Sequence, residues 1–165
     1  MGTLLYYAQA VDVTMLVALV TIADQQASAT QATSNYATHL LYYCHTHPNA
    51  KVSYHASDMI LHIHSDAFYN SEAKAQSRAG GHFYLGNTAS VRPTMHNNGA
   101  ILNTSTIMRI IMASTSEAKR GALFYNTKET VALRTTLHEM GHPQPPTPVE
   151  VDNSTIVGFS NKQIK

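Results

Sequence analysis

The sequence predicts an α/β protein in which a mixed sheet flanked by helices follows an N-terminal helical segment. Apolar residues recur at helical spacing through the first 47 residues, and strand-like alternation begins after Asn49. One long helical pattern then separates the third predicted strand from the fourth. The predicted order is helices followed by β-β-β-α-β-α.

We expect residues 1–50 to form the helical segment and residues 51–165 to form the domain that contains the sheet. Asp12 is placed to begin the second helix, and Pro48 lies where the third must end. The polar stretch Gln25 to Ser34 is predicted to be the loop between these two helices.

Four segments have the composition and alternation of strands. The first runs from Met59 and has Asp66 at its C-terminal end, and the others are Ser77 to Leu85, Ile101 to Ile107 and Val149 to Asp152. The second contains a pair of glycines, which indicates a bulge or a close approach of another chain segment.

The longest helix is predicted between the third and fourth strands. Ser114, Thr115 or Ser116 can cap it, Glu117 lies in its first turn, and Gly141 precedes the proline that ends it. Its predicted apolar stripe consists of Ala118, Ala122, Leu123, Thr127, Val131 and Leu137.

Composition excludes several classes of protein. Apolar residues make up 44% of the chain, which is enough for a core, and the formal net charge is +1. A single cysteine, Cys44, cannot form an internal disulfide, and the apolar run Met15 to Ala23 is too short to cross a bilayer. We therefore expect an intracellular protein that is not inserted in a membrane.

Three acids occupy positions suited to binding metal ions. Asp66 and Asp152 are predicted at strand ends, and Glu117 at the start of the long helix. Carboxylates that converge from different elements can hold two Mg²⁺ roughly 4 Å apart for phosphodiester hydrolysis. Each acid also has an ordinary explanation: Asp66 as a turn residue, Glu117 as a favourable charge at a helix N-terminus, and Asp152 as a helix cap.

Four short motifs occur in the same order as in a known family. They are His64-Ser-Asp-Ala-Phe-Tyr69, Ser77-Arg-Ala-Gly-Gly81, Ser114-Thr-Ser-Glu-Ala118 and Asp152-Asn-Ser-Thr155. In this order they resemble the ribonuclease H domain of copia-type retrotransposon polyproteins. Upstream, Gly2-Thr-Leu-Leu-Tyr-Tyr7 and the helices that follow resemble the end of the reverse transcriptase domain of the same polyproteins.

The resemblance implies a ribonuclease H-like fold and hydrolysis of the RNA strand of an RNA–DNA hybrid. By motif match it gives Asp66, Glu117 and Asp152 the role of catalytic ligands to two Mg²⁺, which Mn²⁺ can replace. It implies the reverse transcriptase domain of the same polyprotein as a partner. The corresponding location is cytoplasmic, nuclear or the virus-like particle of the element.

The sequence departs from the family pattern at two places. The family usually has a second acid two residues after the motif glutamate, and Lys119 stands there. Two helical positions differ by about 200°, so we expect Lys119 to point away from Glu117 and the change to be tolerated. The family's domain also continues past the region that ends at Lys165, into a segment with a further acid. This departure favours an impaired enzyme, or a non-catalytic remnant of a mobile element.

Candidates for contact with the hybrid's phosphates are Lys74, Arg78 and Lys162, because each lies near an acid-bearing element. Ordinary solvated charge is the alternative interpretation of all three.

A competing motif is His138-Glu-Met-Gly-His142, which matches the HExxH pattern of zinc metalloproteases. Gly141 and the proline directly after His142 place the second histidine at a fraying helix end. A third ligand is needed, and only Glu150 and Asp152 follow among the acids, with no later histidine. The protease is therefore the more distant alternative.

Overall fold

The computed structural model describes residues 2–88, 98–152, 158 and 161. The chain divides into two compact units, Met1–Ser53 and Tyr54–Lys165. The predicted helix from Asn153 to Lys165 lies outside the described residues, apart from two isolated positions.

The first unit is helical, as its apolar spacing predicts. Its helices are α1 (Gly2–Ala10), α2 (Leu16–Asp24) and α3 (Gln31–Thr46), and two 3-10 turns, Val13–Met15 and Gln25–Ser28, precede and follow α2. The six residues that form its buried core are Ala8, Met15, Leu16, Leu19, Ile22 and Leu40. Because three helices share these few side chains, burial of this one apolar cluster holds the unit together.

The predicted loop from Gln25 to Ser34 is wrong over most of its length. A 3-10 turn occupies its first four residues, and α3 begins at Gln31. The reason is local hydrogen bonding: Thr30 and Thr33 form a capping box in which each side chain accepts from the other residue's backbone amide. The polar composition of this segment therefore indicated a loop at a place where a helix begins.

The second unit contains a four-stranded mixed sheet, which confirms the α/β class. The strands are β1 (Ile60–Phe68), β2 (Ser77–Gly86), β3 (Ala100–Met108) and β4 (Val149–Glu150). Their spatial order is β3-β2-β1-β4. The first three form an antiparallel meander, and β4 pairs in parallel with β1 after a helical crossover.

The crossover is helix α4 (Thr115–Glu139), which packs against β1 and β2. Ser114 caps its first turn by accepting from the Glu117 amide at 3.1 Å. After the helix Gly141 adopts a φ of 89°, a conformation that a glycine adopts without strain. The buried apolar residues of this unit fall into two clusters: Ala67, Ala79, Met108, Ala118 and Ala122 form one, and Leu61, Ile63, Phe83 and Leu137 the other.

The buried stripe of α4 differs from the predicted one. Thr127 and Val131 are exposed, whereas Asn126 and Thr130 are buried. Lys119 is also buried, beside Ala118. The predicted stripe differs because it rests on apolar residues alone. Three positions that face inward have polar side chains, and their hydrogen-bond and ion-pair partners make burial possible.

Among the helices within residues 2–88 and 98–152, none combines the length and the apolar character needed to cross a membrane.

Candidate functional site

Asp66 lies inside β1, two residues before the strand ends at Phe68. The prediction that it ends the strand was wrong, because pairing with β2 continues through Ala67 with Ala79 and Phe68 with Arg78. Asp66 itself is opposite Gly80, and its side chain is 69% exposed. The strand thus presents a solvated carboxylate from a rigid position.

Asp152 reaches the same place from the neighbouring strand. The parallel register of β4 on β1 joins Ile63 to Val149 and His64 to Glu150. Asp66 and Asp152 each lie two residues further along, so the shared direction of the two strands carries both acids to one end of the pair. The side chain of Asp152 is 66% exposed.

Lys119 joins the two acids. Its Nζ lies 3.2 Å from Asp66 Oδ1 and also donates to Asp152 Oδ1. The side chain is only 10% exposed, so its stem is buried while its ammonium meets two solvated carboxylates. The sequence predicts that Lys119 points away from Glu117, which the separate contacts of the two residues agree with, and that the change from an acid is tolerated. The structure places Lys119 at the centre of the site.

The two carboxylates favour the charged form of this lysine. The hydrogen bond to Asp152 raises the pKa of the Lys119 ammonium above its usual value of 10.5, Asp66 adds to the shift, and burial opposes it. Lys119 is therefore a cation at neutral pH, and it cannot serve as a general base there.

Glu117 is engaged elsewhere, at the start of α4. Its Oε2 accepts from the Ala113 amide at 2.6 Å, and its own amide donates to the Ser114 cap. These contacts match the ordinary explanation of a glutamate in a first helical turn. The structure brings Asp66 and Asp152 together through Lys119, whereas among the described residues the carboxylate of Glu117 contacts the Ala113 amide.

The donor set does not suit a pair of magnesium ions. Mg²⁺ binds carboxylate oxygens at about 2.0–2.1 Å in octahedral geometry, and a two-ion site needs several free carboxylates. Here an ammonium group already occupies an oxygen of each aspartate. Within the described part of the chain, no group of three or more His, Cys, Asp or Glu side chains could hold a metal ion.

The three predicted phosphate contacts differ in accessibility. Arg78 is only 5% exposed, and its guanidinium donates to Glu72 Oε1 at 2.7 Å and to Ser105 Oγ at 2.9 Å. These contacts tie Arg78 to neighbouring parts of the domain and give it a structural role. Lys74 is exposed in the loop between β1 and β2, and Lys162 lies outside the described residues.

The HExxH pattern does not form a zincin helix. Helix α4 ends at Glu139, and the His142 amide donates to Leu137 O in the turn that follows. His138 and His142 therefore do not lie one helical turn apart on a continuous helix, which is the arrangement that two zinc ligands require.

One row of polar side chains crosses the whole sheet. The registers align Glu150, His64, His82 and Asn103 on four adjacent strands. His64 Nδ1 lies 3.1 Å from Glu150 Oε2, and His82 Nδ1 lies 2.8 Å from Asn103 Oδ1. His62, which shares this face, has its Nε2 3.0 Å from Asn87 O. The row accounts for the alternating histidines as paired polar residues of a strand face.

A second polar site on α4 was also missed in the sequence. Asn126 is 2% exposed, and its Nδ2 donates to Ser65 Oγ and to Gly80 O, both at 2.8 Å. Its Oδ1 accepts from Thr104 Oγ1 at 3.1 Å. The only local signal was the glycine pair, since a Cβ at Gly81 would lie 2.6 Å from Thr104 Oγ1 and collide with the Asn126 amide.

Comparison with known proteins adds no relative: no protein family, no curated protein and no solved structure matches the chain. Any assignment of function therefore depends on the motifs, the topology and the contacts described above.

Proposed function

We propose that residues 54–165 form a ribonuclease H-like domain of a copia-type retrotransposon polyprotein, in a form that does not hydrolyse RNA. The helical first unit would be the end of the preceding reverse transcriptase domain. Three features support this proposal: the order of the four motifs, the strand order β3-β2-β1-β4, and the meeting of Asp66 with Asp152.

The topology supports the proposal because it brings two motifs together that are far apart in the sequence. An antiparallel meander, a crossover helix and a parallel fourth strand bring Asp66 of β1 close to Asp152, which lies two residues after β4. This is the arrangement that a carboxylate site built at a sheet edge needs.

The position of Lys119 is the observation that most strongly supports a domain without hydrolytic activity. Metal-assisted phosphodiester cleavage depends on cations held by several carboxylates, which activate water and stabilise the leaving oxygen. Lys119 neutralises one charge of the aspartate pair and occupies an oxygen of each. Its raised pKa keeps it charged through the physiological range. A non-catalytic domain is thus favoured over the active two-metal enzyme.

The surroundings offer little for strong binding of a hybrid. Recognition of RNA–DNA hybrids relies on contacts to phosphates and 2′-hydroxyls, which basic side chains usually supply. Of the two described candidates, Arg78 is buried and only Lys74 is exposed. We expect any binding by this chain alone to be weak and salt-dependent, with the reverse transcriptase domain supplying most of the affinity.

The test is a cleavage assay with the full chain. A labelled RNA–DNA hybrid is incubated in Mg²⁺ or Mn²⁺ with a protein excess on the order of 10- to 100-fold, which allows a slow enzyme to be detected. RNA fragments are then resolved on a denaturing gel. We expect no cleavage above the protein-free control, while an active ribonuclease H cuts under the same conditions. Metal-dependent cleavage that disappears in Asp66→Asn would show that the chain is an active nuclease and refute the non-catalytic form.

A further inference from the structure

The cluster of Lys119 with Asp66 and Asp152 has the charge arrangement of a cation site whose cation is part of the chain. Two aspartates contribute two negative charges, and the ammonium that joins them contributes one positive charge. Ammonium groups and metal ions compete for the same carboxylate lone pairs, since both are cations that approach carboxylate oxygens closely. The three side chains together therefore have a net charge of minus one.

The ammonium cannot easily move aside for another cation. The stem of Lys119 lies on the buried side of α4 next to Ala118, and the side chain is 10% exposed. Lys128 on the same helix differs, because it is exposed and its Nζ lies 5.8 Å above the ring of Phe124. Rotation of Lys119 toward solvent would uncover its stem and break two ion pairs.

Position 119 is also the helix position that faces the acids. Glu117 is about 200° away around the helix, and its carboxylate is bound to the Ala113 amide. A carboxylate at position 117 therefore cannot complete the pair from where it stands. A carboxylate at position 119 would extend from the same backbone position toward Asp66 and Asp152.

We propose that Lys119 is a tethered counter-ion that closes the aspartate pair to divalent cations, and that this one side chain decides whether the site binds metal. The inference rests on the proposed function for the expectation that an intact domain binds metal here. The blocking effect itself follows from the ion pairs of Lys119 with the two aspartates.

The experiment measures binding of Mn²⁺ to the full chain at pH 7 by electron paramagnetic resonance, for the original protein, Lys119→Glu and Lys119→Gln. Lys128→Glu is the matched control, since it makes the same charge change on the exposed side of α4. We expect Lys119→Glu to bind one Mn²⁺ about tenfold or more tightly than the original protein and the control, because it reverses a charge in direct contact with both acids. Lys119→Gln should give a smaller gain.

A second set of variants ties the gain to the two aspartates. Adding Asp152→Asn to Lys119→Glu should remove most of the new Mn²⁺ affinity, and Glu117→Gln should leave it unchanged. Circular dichroism establishes that each variant is folded. If Lys119→Glu fails to fold, the Mn²⁺ affinities of Lys119→Gln and the original protein still test the inference.

Two results would overturn the inference. One is tight Mn²⁺ binding by the original protein that Asp152→Asn abolishes, since Lys119 would then not close the site. The other is a folded Lys119→Glu or Lys119→Gln variant that binds Mn²⁺ no better than Lys128→Glu. Failure of the proposed function has a different signature, namely hydrolysis of the hybrid by the original protein, so the two outcomes can be told apart.

Discussion

Asn126 and Lys119 are both polar side chains on the inward face of helix α4, and their surroundings differ in charge and in contact with water. Asn126 is neutral and 2% exposed, and its partners are the buried Ser65 and the half-buried Gly80. Lys119 is charged, and its partners Asp66 and Asp152 are two-thirds exposed. Water and dissolved ions can therefore reach the polar partners of Lys119, whereas Asn126 is sealed from them.

The same difference predicts how each site contributes to stability. A buried network leaves its partners without hydrogen bonds when one member is removed, whereas exposed carboxylates are solvated again by water. Asn126 should therefore matter most for the free energy of unfolding, and Lys119 most for what the site binds.

The largest effect is expected from Asn126→Ala. This change leaves Ser65 Oγ, Gly80 O and Thr104 Oγ1 without their partner, and should lower the free energy of unfolding by about 2–4 kcal/mol. Urea unfolding followed by circular dichroism measures it. Thr127→Ala, on the exposed neighbouring position, is the control and should change stability by less than about 0.5 kcal/mol. Equal effects at the two positions would argue against a buried network.

Next in size is Gly81→Ala. The added methyl group would collide with the Asn126 amide and with Thr104 Oγ1, and we expect a loss of about 1–3 kcal/mol. In the Asn126→Ala background the loss should be smaller, because one of the two obstacles is gone. A double-mutant cycle from urea unfolding provides the comparison. Strict additivity of the two changes would contradict the contact.

A smaller effect is expected from Lys119→Met, which keeps the apolar stem and removes the charge. Because both aspartates are well exposed, the loss should be about 1 kcal/mol or less and should shrink further in high salt. Thermal unfolding at low and high ionic strength measures it against Lys128→Met. A loss above that of Asn126→Ala would show that the charged cluster, and not the neutral one, dominates stability.

The smallest effect is a change of stability with alkaline pH. The pKa of Lys119 is raised on folding, so its contribution is complete below the usual value of 10.5 and declines as pH rises through the higher folded value. The stability difference between the original protein and Lys119→Met should be constant from pH 7 to about 10 and diminish above pH 10.5. Taking the difference cancels the titration of groups that both proteins share. A difference that grows with alkaline pH would contradict the sign of the shift.

Much of the fold of the second unit could be predicted from local patterns. The alternation from Ile60 through His64 predicted β1, and Ser114 with Gly141 marked the limits of α4. These signals are local, because apolar period and capping hydrogen bonds involve residues within a few positions of each other. The same logic failed at Thr30 and Thr33, where a capping box lies in a stretch whose polar composition indicated a loop.

The contacts of the site could be predicted only in part. The motif order drew attention to Asp66 and Asp152, which the structure brings together. The role of Lys119 was missed because its burial depends on Asp66 in β1 and on Asp152 just after β4, and no local pattern reports these partners. Arg78 illustrates the same point, since its burial depends on Glu72 and on Ser105 of the third strand.

Local sequence patterns were enough to predict most of the helices and strands within residues 60–88 and 98–139, and the motif order drew attention to Asp66 and Asp152. The meeting of these two acids, with a lysine of the chain as the cation between them, follows only from the tertiary contacts. The physical reason is one of distance along the chain: periodicity and capping act within a few residues, whereas the charge balance of a site is set by side chains that meet only after the strands have paired.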